Sequence, residues 1–301
     1  LLIVHPWNER FTGHPNGEEG DAMSLERRYV DILTMGRSGI DIFPLQVGAH
    51  LEDVETFGKF LGGSPTNVAV AAARLGHRAE LFPPDSFPLY FYREPSAPDL
   101  ELGEDQVDWD AVERAGIFWF TVTGLSRDSS FGLHLRALDH RDRSNGVTIL
   151  DLDYRSNLWS GMAQARSRVA AVLSRVDVAV GNRQECEMAV GVSDPEGAAD
   201  ALLERGVKLA IVKQGPKGTL AKTADERVWV DAWDVDVVNG LGAGDAFGGA
   251  LIHGLVEGWD LERTIRYASA AGAYVCLHIE CSTAMPTLEQ LSAFVETGVL
   301  P

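Results

Sequence analysis

The chain has 301 residues, and its 45% apolar content is enough to bury the core of one large α/β domain or two modest ones. Its 26 basic and 44 acidic residues give a formal net charge of −18, which would repel a nucleic-acid backbone, so we expect no nucleic-acid partner. No apolar run approaches the length of a membrane span, and the apolar residues 1–4 lack the basic flank of a signal peptide, so we expect a cytoplasmic protein without a membrane partner.

The predicted elements begin after an extension. Residues 1–28 are rich in Gly, Pro, Asn and charge without periodicity, and we expect them to lie outside the fold. From Tyr29 onward, short apolar runs alternate with amphipathic segments, which is typical of βαβ units around a mostly parallel sheet. The predicted strands cover residues 31–35, 78–81, 117–123, 147–152, 176–180 and 208–213.

Two segments break this alternation, residues 40–60 and 82–102. We interpret both as β-rich additions outside the main sheet that form a lid over the site.

Several predicted helices carry end signals. Ser64 is a candidate N-cap with Pro65 at the first helical position, and Gly76 is a candidate for the residue that ends the same helix. A similar pattern runs from Ser193-Asp194-Pro195 to Gly206. Asp260 and Thr287 are predicted to cap the last two helices, the second of which should end near Gly298.

Polar residues follow most of the predicted strands. In an open parallel sheet, ligands bind beyond the carboxyl ends of the strands, so these residues are candidates for a shared site. Most polar residues at strand ends belong to solvated loops without a function. Several groups of them at neighbouring strand ends together favour a binding site. The groups are Gly36 and Arg37; Thr123 and Gly124; Asp153, Tyr154 and Arg155; Asn182 and Glu185; and Lys213, Gly215 and Gly218.

The sharpest feature is Gly242-Ala243-Gly244-Asp245 at the predicted start of a helix. The first N–H groups of a helix have no partner within it, and the helix dipole adds positive charge, so this loop is a candidate anion site. Asp245 could simply stabilise the dipole. The functional interpretation is a general base that accepts a hydroxyl proton while the backbone amides stabilise a transferred phosphoryl group.

A second glycine pair precedes another predicted helix, at Gly62 and Gly63. Paired glycines let a ligand approach the backbone, and Asn67 on the first turn offers a donor and an acceptor to sugar hydroxyls; a tight turn with a cap is the alternative. The chain has no Walker A sequence and no Gly-x-Gly-x-x-Gly after a strand. Neither its eight histidines nor its three cysteines show metal-site spacing, so no transition-metal site is expected.

From about Tyr29 the chain resembles the ribokinase-like, or PfkB, family of carbohydrate kinases. Two motifs carry the resemblance, residues 62–76, which begin Gly-Gly-Ser-Pro-Thr-Asn, and Asn239-Gly-Leu-Gly-Ala-Gly-Asp245. The resemblance implies one kinase domain over residues 29–301, with a three-layer α/β/α sandwich, a mostly parallel central sheet and a small β-rich lid. It also implies phosphoryl transfer from Mg-ATP to a hydroxymethyl group, and in the family such lids often pair across a homodimer.

The resemblance also implies roles for individual residues. Asp245 would be the base, and Gly242, Ala243 and Gly244 would form the anion hole. The sugar would contact Asp41, Gly62, Gly63 and Asn67. Glu185 would lie near magnesium and contact it through water, and some enzymes of this kind would also use a monovalent cation. The nucleotide would lie near Asn182, Lys213, Gly215, Gly218 and Ser269, although relatives often carry asparagine where this chain has Ser269.

Within the family, four segments most resemble kinases of 5-dehydro-2-deoxygluconate in inositol breakdown: residues 36–41, 51–53, 62–65 and 151–159. A sugar acid needs a guanidinium partner, for which Arg155 and Arg93, with Tyr92 beside it, are the candidates. Kinases of 2-keto-3-deoxygluconate, fructokinases, nucleoside kinases and a non-catalytic sugar-binding protein are the alternatives. One departure affects the lid, since the family usually has a few dozen more residues between Leu81 and Phe82.

Overall fold

The computed structural model describes residues 31–36, 38–46, 50, 53–81, 103–141, 144 and 146–299. The expected extension over residues 1–28 and the expected lid segment over residues 82–102 lie outside the described residues. Within the described part of the chain, no helix has the length and apolar character needed to cross a membrane.

Ten strands of the described residues form two sheets. The strands are β1 (Ile32–Met35), β2 (Gly39–Pro44), β3 (Phe57–Gly62), β4 (Ala79–Leu81), β5 (Ile117–Thr121), β6 (Val147–Asp151), β7 (Val178–Asn182), β8 (Leu209–Lys213), β9 (Thr219–Lys222) and β10 (Arg227–Val230). Eight of them make the central sheet in the order β10-β9-β8-β7-β6-β5-β1-β4, while β2 and β3 make a separate antiparallel pair. The six strands from β4 to β8 in this order pair in parallel, and only the β8-β9 and β9-β10 pairs are antiparallel.

Nine helices of the described residues cover the two faces of the central sheet. They are α1 (Ser64–Arg74), α2 (Trp109–Arg114), α3 (Asp128–His140), α4 (Met162–Leu173), α5 (Arg183–Val190), α6 (Pro195–Leu203), α7 (Ala243–Val256), α8 (Leu261–Cys276) and α9 (Leu288–Thr297). Helices α2 to α6 pack on one face, and α1, α7, α8 and α9 pack on the other. The predicted α/β/α sandwich is therefore confirmed.

Strand β5 shows why the sheet is buried on both sides. Phe118 and Phe120 point into the core under α2 to α6, whereas Ile117 and Trp119 point into the core under α1 and α7. All four side chains are almost completely inaccessible to solvent. Such continuous apolar runs are expected for parallel strands covered by helices on both faces.

Two predicted strands differ from the observed ones. Strand β5 ends at Thr121, because residues Val122–Leu125 turn into a 3-10 helix in which the Thr121 and Thr123 hydroxyls lie 2.7 Å apart. Strand β7 begins at Val178, since the N–H of Val176 is still bonded to Leu173 at the end of α4 (3.1 Å). Strands β9 and β10 were not predicted.

The helix caps partly match the prediction. Asp260 and Thr287 cap α8 and α9, and Gly298 ends α9 at a φ of 71°. Ser64 is not an N-cap: Gly63 takes that position with a φ of 96°, and no side chain caps α1. The glycine supplies the left-handed turn that brings β3 into α1, which a serine would adopt only with strain.

Candidate active site

A cavity of about 940 Å³ opens at the carboxyl ends of the central strands. Asp151 ends β6, Asn182 ends β7 and Lys213 ends β8, and all three line it. The beginnings of α1 and α7 close the same cavity from the other side. This is where an open α/β sheet binds ligands.

Asp245 lies in the first turn of α7. Gly242 is the N-cap with a φ of 82°, and the first intrahelical bond joins Ala246 N to Gly242 O at 2.9 Å. The N–H groups of Ala243, Gly244 and Asp245 therefore have no partner within the helix. No side chain caps α7, and Asp245 is the acidic residue of its first turn. An acidic residue there stabilises the helix dipole, so this role of Asp245 remains compatible with its position.

The Asp245 carboxylate is held from another helix instead. Asn67 Nδ2 on α1 donates to its Oδ2 at 2.8 Å, and the side chain is only 9% exposed. Burial raises the pKa of Asp245 to about 6, against the lowering effect of the Asn67 hydrogen bond and with a further rise from the nearby Asp153 charge. A carboxyl group with this pKa is ionised at neutral pH yet takes up a proton more readily than an exposed aspartate.

The glycine loop before Asp245, residues 238–244, is hydrogen-bonded to the end of α8 and to the segment that follows it. Val238 N and Asn239 N donate to Cys276 O at 2.8 and 3.2 Å, and Asn239 Nδ2 donates to Ile279 O at 2.7 Å. A Cβ atom at Gly242 would come within 3.0 Å of Cys281. Position 242 therefore requires glycine both for its φ and for space.

Lys213 is the cation at the centre of the cavity. A Cβ atom at Gly244 would lie 3.4 Å from Lys213 Nζ, so the ammonium group lies beside the start of α7. Burial alone would lower the pKa of Lys213, but the surrounding carboxylates, led by Asp151 and Glu185, raise it. The lysine therefore stays charged and is available to a phosphate group.

Asp151 is a buried carboxyl group of the cavity. It is 4% exposed, and burial raises its pKa well above the ordinary value although Lys213 acts in the opposite direction. Asp153 is similarly buried, and its Oδ2 has no hydrogen-bond partner among the described residues. Carboxylate oxygens of this kind suit a hard cation such as Mg²⁺.

The predicted pair Asn182 and Glu185 forms a reciprocal cap of α5. Asn182 Oδ1 accepts from Glu185 N at 2.9 Å, and Glu185 Oε2 accepts from Asn182 N at 2.6 Å. Both side chains also line the cavity. Glu185 is therefore fixed by one carboxylate oxygen, and the other oxygen is available to a ligand.

Arg155 reaches the cavity from the segment after β6. Its guanidinium contacts the buried Asp153 carboxylate at 2.8 Å, and its side chain is half exposed. Asp41 of β2 lines the cavity from the separate sheet, and its carboxylate occupies the space next to Gly62, where any Cβ would come within 2.4 Å.

The remaining wall combines turns and apolar side chains. Gly215 (φ 57°) and Gly218 (φ 94°) flank the turn after β8, and Ser269 Oγ lies 3.4 Å from Thr219 Oγ1. The mostly apolar part of the wall is formed by Trp233, Val235, Val237, Leu241, Phe247, Gly272 and Ala273. A polar turn beside an apolar slot suits the phosphates and the base of a nucleotide.

The structure brings most of the predicted site residues into this one cavity. They are Asp41, Gly63, Asn67, Arg155, Asn182, Glu185, Lys213, Gly215, Gly218, Gly242, Ala243, Gly244, Asp245 and Ser269. Gly62 lies just outside the lining, and Tyr92 and Arg93 lie outside the described residues.

Sequence reasoning missed Asp151 and Cys281 as lining residues. Asp151 falls inside the predicted strand 147–152, and an acidic residue in that apolar run was the available signal. Cys281 had none, because only the packing of the turn after α8 places it against Gly242.

Comparison with known proteins agrees with this geometry. The chain matches the family model described as pfkB family carbohydrate kinase over residues 89–288. It is 30% identical to a 5-dehydro-2-deoxygluconokinase of Photobacterium profundum, with 90% of this chain and 96% of that protein covered. It is 27% identical to the 5-dehydro-2-deoxygluconokinase of Clostridium beijerinckii, with 89% and 94% covered.

A crystal structure of a putative ribokinase II in complex with ATP and Mg²⁺ from E. coli has the same fold. The TM-score is 0.79 at 22% identity, with 89% of this chain and 99% of that chain covered. The family model covers well over half of the chain, and the relatives span nearly all of it. The chain therefore belongs to the pfkB family of carbohydrate kinases and is an ATP-dependent sugar kinase.

Proposed function

We propose that this kinase phosphorylates the hydroxymethyl group of a sugar acid, and that its substrate is 5-dehydro-2-deoxy-D-gluconate, which becomes the 6-phosphate in inositol catabolism. The observation that carries the catalytic part is the Asp245 carboxylate, buried at the amide-rich start of α7 and held by Asn67 at 2.8 Å. The names of the relatives at 27% and 30% identity support the substrate.

In the proposed reaction, Asp245 accepts the proton of the acceptor hydroxyl. The hydroxyl oxygen forms a bond to the terminal phosphorus of ATP while the bond to the ADP oxygen breaks. The N–H groups of Ala243 and Gly244 face the charge that develops on the transferred group, and Lys213 adds a cation on the same side. Asn67 keeps the Asp245 carboxylate in position for this proton transfer.

ATP supplies the phosphoryl group, and Mg²⁺ neutralises its charge when bound. The residues of the cavity fit both: Glu185 and Asp153 each retain one carboxylate oxygen without a partner bond to the described protein. Asn182, Gly215, Gly218 and Ser269 are proposed to hold the nucleotide. Turnover measured in potassium-free buffer tests whether the enzyme needs a monovalent cation.

Arg155 is the proposed carboxylate anchor. In a protein of net charge −18, an anionic substrate needs a local cation, and Arg155 lines the cavity while Asp153 fixes its orientation at 2.8 Å. Asp41, Gly62, Gly63 and Asn67 are proposed to bind the sugar hydroxyls. Arg93 and Tyr92 are proposed to assist from the lid.

The decisive experiment follows ADP release with 5-dehydro-2-deoxygluconate, 2-keto-3-deoxygluconate, fructose and a nucleoside as acceptors. Asp245→Asn should lower kcat by about 10²–10⁴ while ATP binding, measured by calorimetry, persists. Near-normal turnover of this variant would rule out Asp245 as the base. Sugar-acid binding without ADP release in the wild type would instead favour a non-catalytic sugar-binding protein.

The substrate class is tested by Arg155→Met. We expect a higher KM for sugar acids and an unchanged KM for fructose, because only the carboxylate loses its partner. Arg183→Met is the matched control, since Arg183 is a neighbouring surface arginine that bonds Ser193 O. Equal effects on acid and neutral acceptors would contradict the assignment.

We further propose that residues 29–301 form one kinase domain, in a cytoplasmic protein, with residues 40–60 and 82–102 as its lid. Strands β2 and β3 support the first lid segment, because they stand apart from the central sheet and carry Asp41 to the cavity. The outward face of this pair is mostly apolar: Ile42, Phe57 and Leu61 are exposed by 56%, 51% and 40%, and the exposed Lys59 lies opposite Ile42. We propose that a second copy of the chain covers this face in a homodimer.

A further inference from the structure

Two histidines and a glutamate meet at the end of α7 that is remote from Asp245. His253 lies in the last turn of α7, Glu257 follows one turn later as its C-cap, and His77 comes just after α1. His253 lies eight residues after Asp245, which places it about 12 Å further along the helix axis. We call His77, His253 and Glu257 the histidine cluster.

The cluster is compact. His77 Nε2 and His253 Nδ1 are 2.8 Å apart, and one ligand atom from each of the three residues lies within 4.8 Å of the others. Glu257 and His253 are spaced i, i+4, so both side chains project from the same face of α7. Chain segments 176 residues apart therefore supply the ligands, which is why the sequence spacing shows no metal motif.

The contact between the two rings leaves a polar atom unsatisfied. Only one proton can lie between His77 Nε2 and His253 Nδ1 in the neutral pair. His253 is 4% exposed, and its Nε2 has no hydrogen-bond partner among the described residues. In either tautomer, a buried histidine nitrogen is thus unpaired. The unpaired atom is Nε2 and not the Nδ1 that faces His77, so the two facing nitrogens and the Glu257 carboxylate are the candidate ligand atoms.

Neighbouring aromatic side chains hold the His253 ring in place. The ring of Trp259 packs edge-on against His253 with centroids 4.8 Å apart, and it fixes that ring. Arg263 in turn stacks on Trp259, with its Cζ 4.0 Å from the ring centroid.

We propose that the histidine cluster binds a divalent transition-metal ion, with Zn²⁺ as the expected ion. Two imidazoles and one carboxylate are a donor set that zinc accepts, with water in the fourth position. Zinc to nitrogen bonds of about 2.0–2.1 Å place two tetrahedral ligands about 3.3 Å apart, so the rings need to separate by only about 0.5 Å. His77 lies half-buried on the turn after α1.

The bound ion would join the far ends of two helices whose first turns build the active site. Helix α1 carries Gly63 and Asn67 at its beginning, and α7 carries Gly242 to Asp245. Between the two ends the helices touch closely, since a Cβ at Gly249 would lie 2.3 Å from the Ala71 Cβ. The ion is therefore a structural clamp that is separate from the proposed chemistry.

The test compares metal binding by the wild type with that of His77→Gln and Glu257→Gln, two changes at accessible positions. Each protein is titrated with Zn²⁺ in a calorimeter, in buffer that contains excess Mg²⁺. The two variants should bind about one equivalent of Zn²⁺ fewer than the wild type. His140→Gln, an exposed histidine at the end of α3, is the control and should bind as the wild type does. His5, His14 and the cavity carboxylates are present in every protein, so the difference isolates the cluster.

Two further measurements identify the site. Co²⁺ in place of Zn²⁺ should give intense visible absorption typical of a low-coordinate nitrogen and oxygen site in the wild type and His140→Gln, and this absorption should be lost in the other two variants. Zn²⁺ should raise Tm only where the cluster is intact. Equal stoichiometry and equal Tm shifts in all four proteins would overturn the proposal, and matching circular dichroism spectra without metal exclude misfolding as the cause.

Discussion

At the scale of single residues, Asp245 is held in an environment that disfavours its charge. Burial raises its pKa to about 6 from an ordinary value of 3.8. The folded protein therefore holds this proton up to a higher pH than the unfolded chain does. Linkage then requires that the free energy of unfolding decreases as pH rises from about 4 to about 6, because deprotonation is easier in the unfolded state.

We expect Asp245→Asn to be more stable than the wild type at pH 8, by on the order of 3 kcal/mol for a shift of this size. The difference should shrink towards pH 4, where the wild-type carboxyl group is protonated in the folded state. Urea unfolding at several pH values measures it. A pH-independent difference for Asp245→Asn would contradict the assigned environment.

A second expectation concerns Asn67. Its hydrogen bond at 2.8 Å stabilises the charged form of Asp245, so Asn67→Ala should raise the pKa of Asp245 above its present value of about 6. The acidic limb of the kcat/KM profile should move to higher pH by a corresponding amount. A limb that stays in place while kcat/KM merely falls would mean that Asn67 only binds substrate.

The site was predictable where local sequence determines it. The glycines before Asp245 and the polar residues after β6, β7 and β8 reach the cavity because a parallel sheet aligns its strand ends. The bond between Asn67 and Asp245 was not predictable from spacing, since 178 residues separate its partners. Neither was the pKa of Asp245, which depends on how completely the helices bury it.

At the scale of secondary-structure elements, the contact between α1 and α7 positions the site. Gly249 lets the two helices approach, because a Cβ there would lie 2.3 Å from Ala71, and Gly248 lets α7 approach β5, because a Cβ there would lie 2.6 Å from Trp119. These glycines are in a helix interior, where glycine is unfavourable by about 1 kcal/mol relative to alanine. Close packing is the physical reason for their presence.

We therefore expect Gly249→Ala to destabilise the fold by about 1–3 kcal/mol through overpacking and to lower kcat by separating Asn67 from Asp245. Gly132→Ala in α3 is the matched control, because a Cβ there would meet no atom within 4 Å. It should stabilise the protein by up to about 1 kcal/mol. Thermal unfolding and kcat of the two variants test the difference in sign.

Element prediction succeeded for long periodic segments and failed for short ones. The pattern of small and apolar residues located α7, and cap residues located the ends of α8 and α9. Strands β9 and β10 have four residues each and mix polar with apolar side chains, so they lack a pattern that separates them from loops. Their strand conformation depends on pairing with β8.

At the scale of the whole molecule, two features affect the association of two copies of the chain. They are the net charge of −18, which opposes association, and the exposed apolar side chains of β2 and β3, which favour it. If two copies meet through β2 and β3, Ile42→Glu combined with Leu61→Glu should give a monomer by light scattering after gel filtration. Val299→Glu, at a position that is 66% exposed, should leave the association state unchanged. A wild type that is monomeric at micromolar concentration would rule out the proposed homodimer.

The attachment of the glycine loop to the turn after α8 has a consequence for local unfolding. Residues 238–239 depend for three hydrogen bonds on the carbonyl groups of Cys276 and Ile279, which belong to the last turn of α8 and the segment after it. If that helix end frays, the amides before Asp245 lose their fixed direction while the core strands stay paired. Hydrogen exchange at residues 238–245 should therefore follow exchange at the end of α8, and heat should inactivate the enzyme before it melts the sheet.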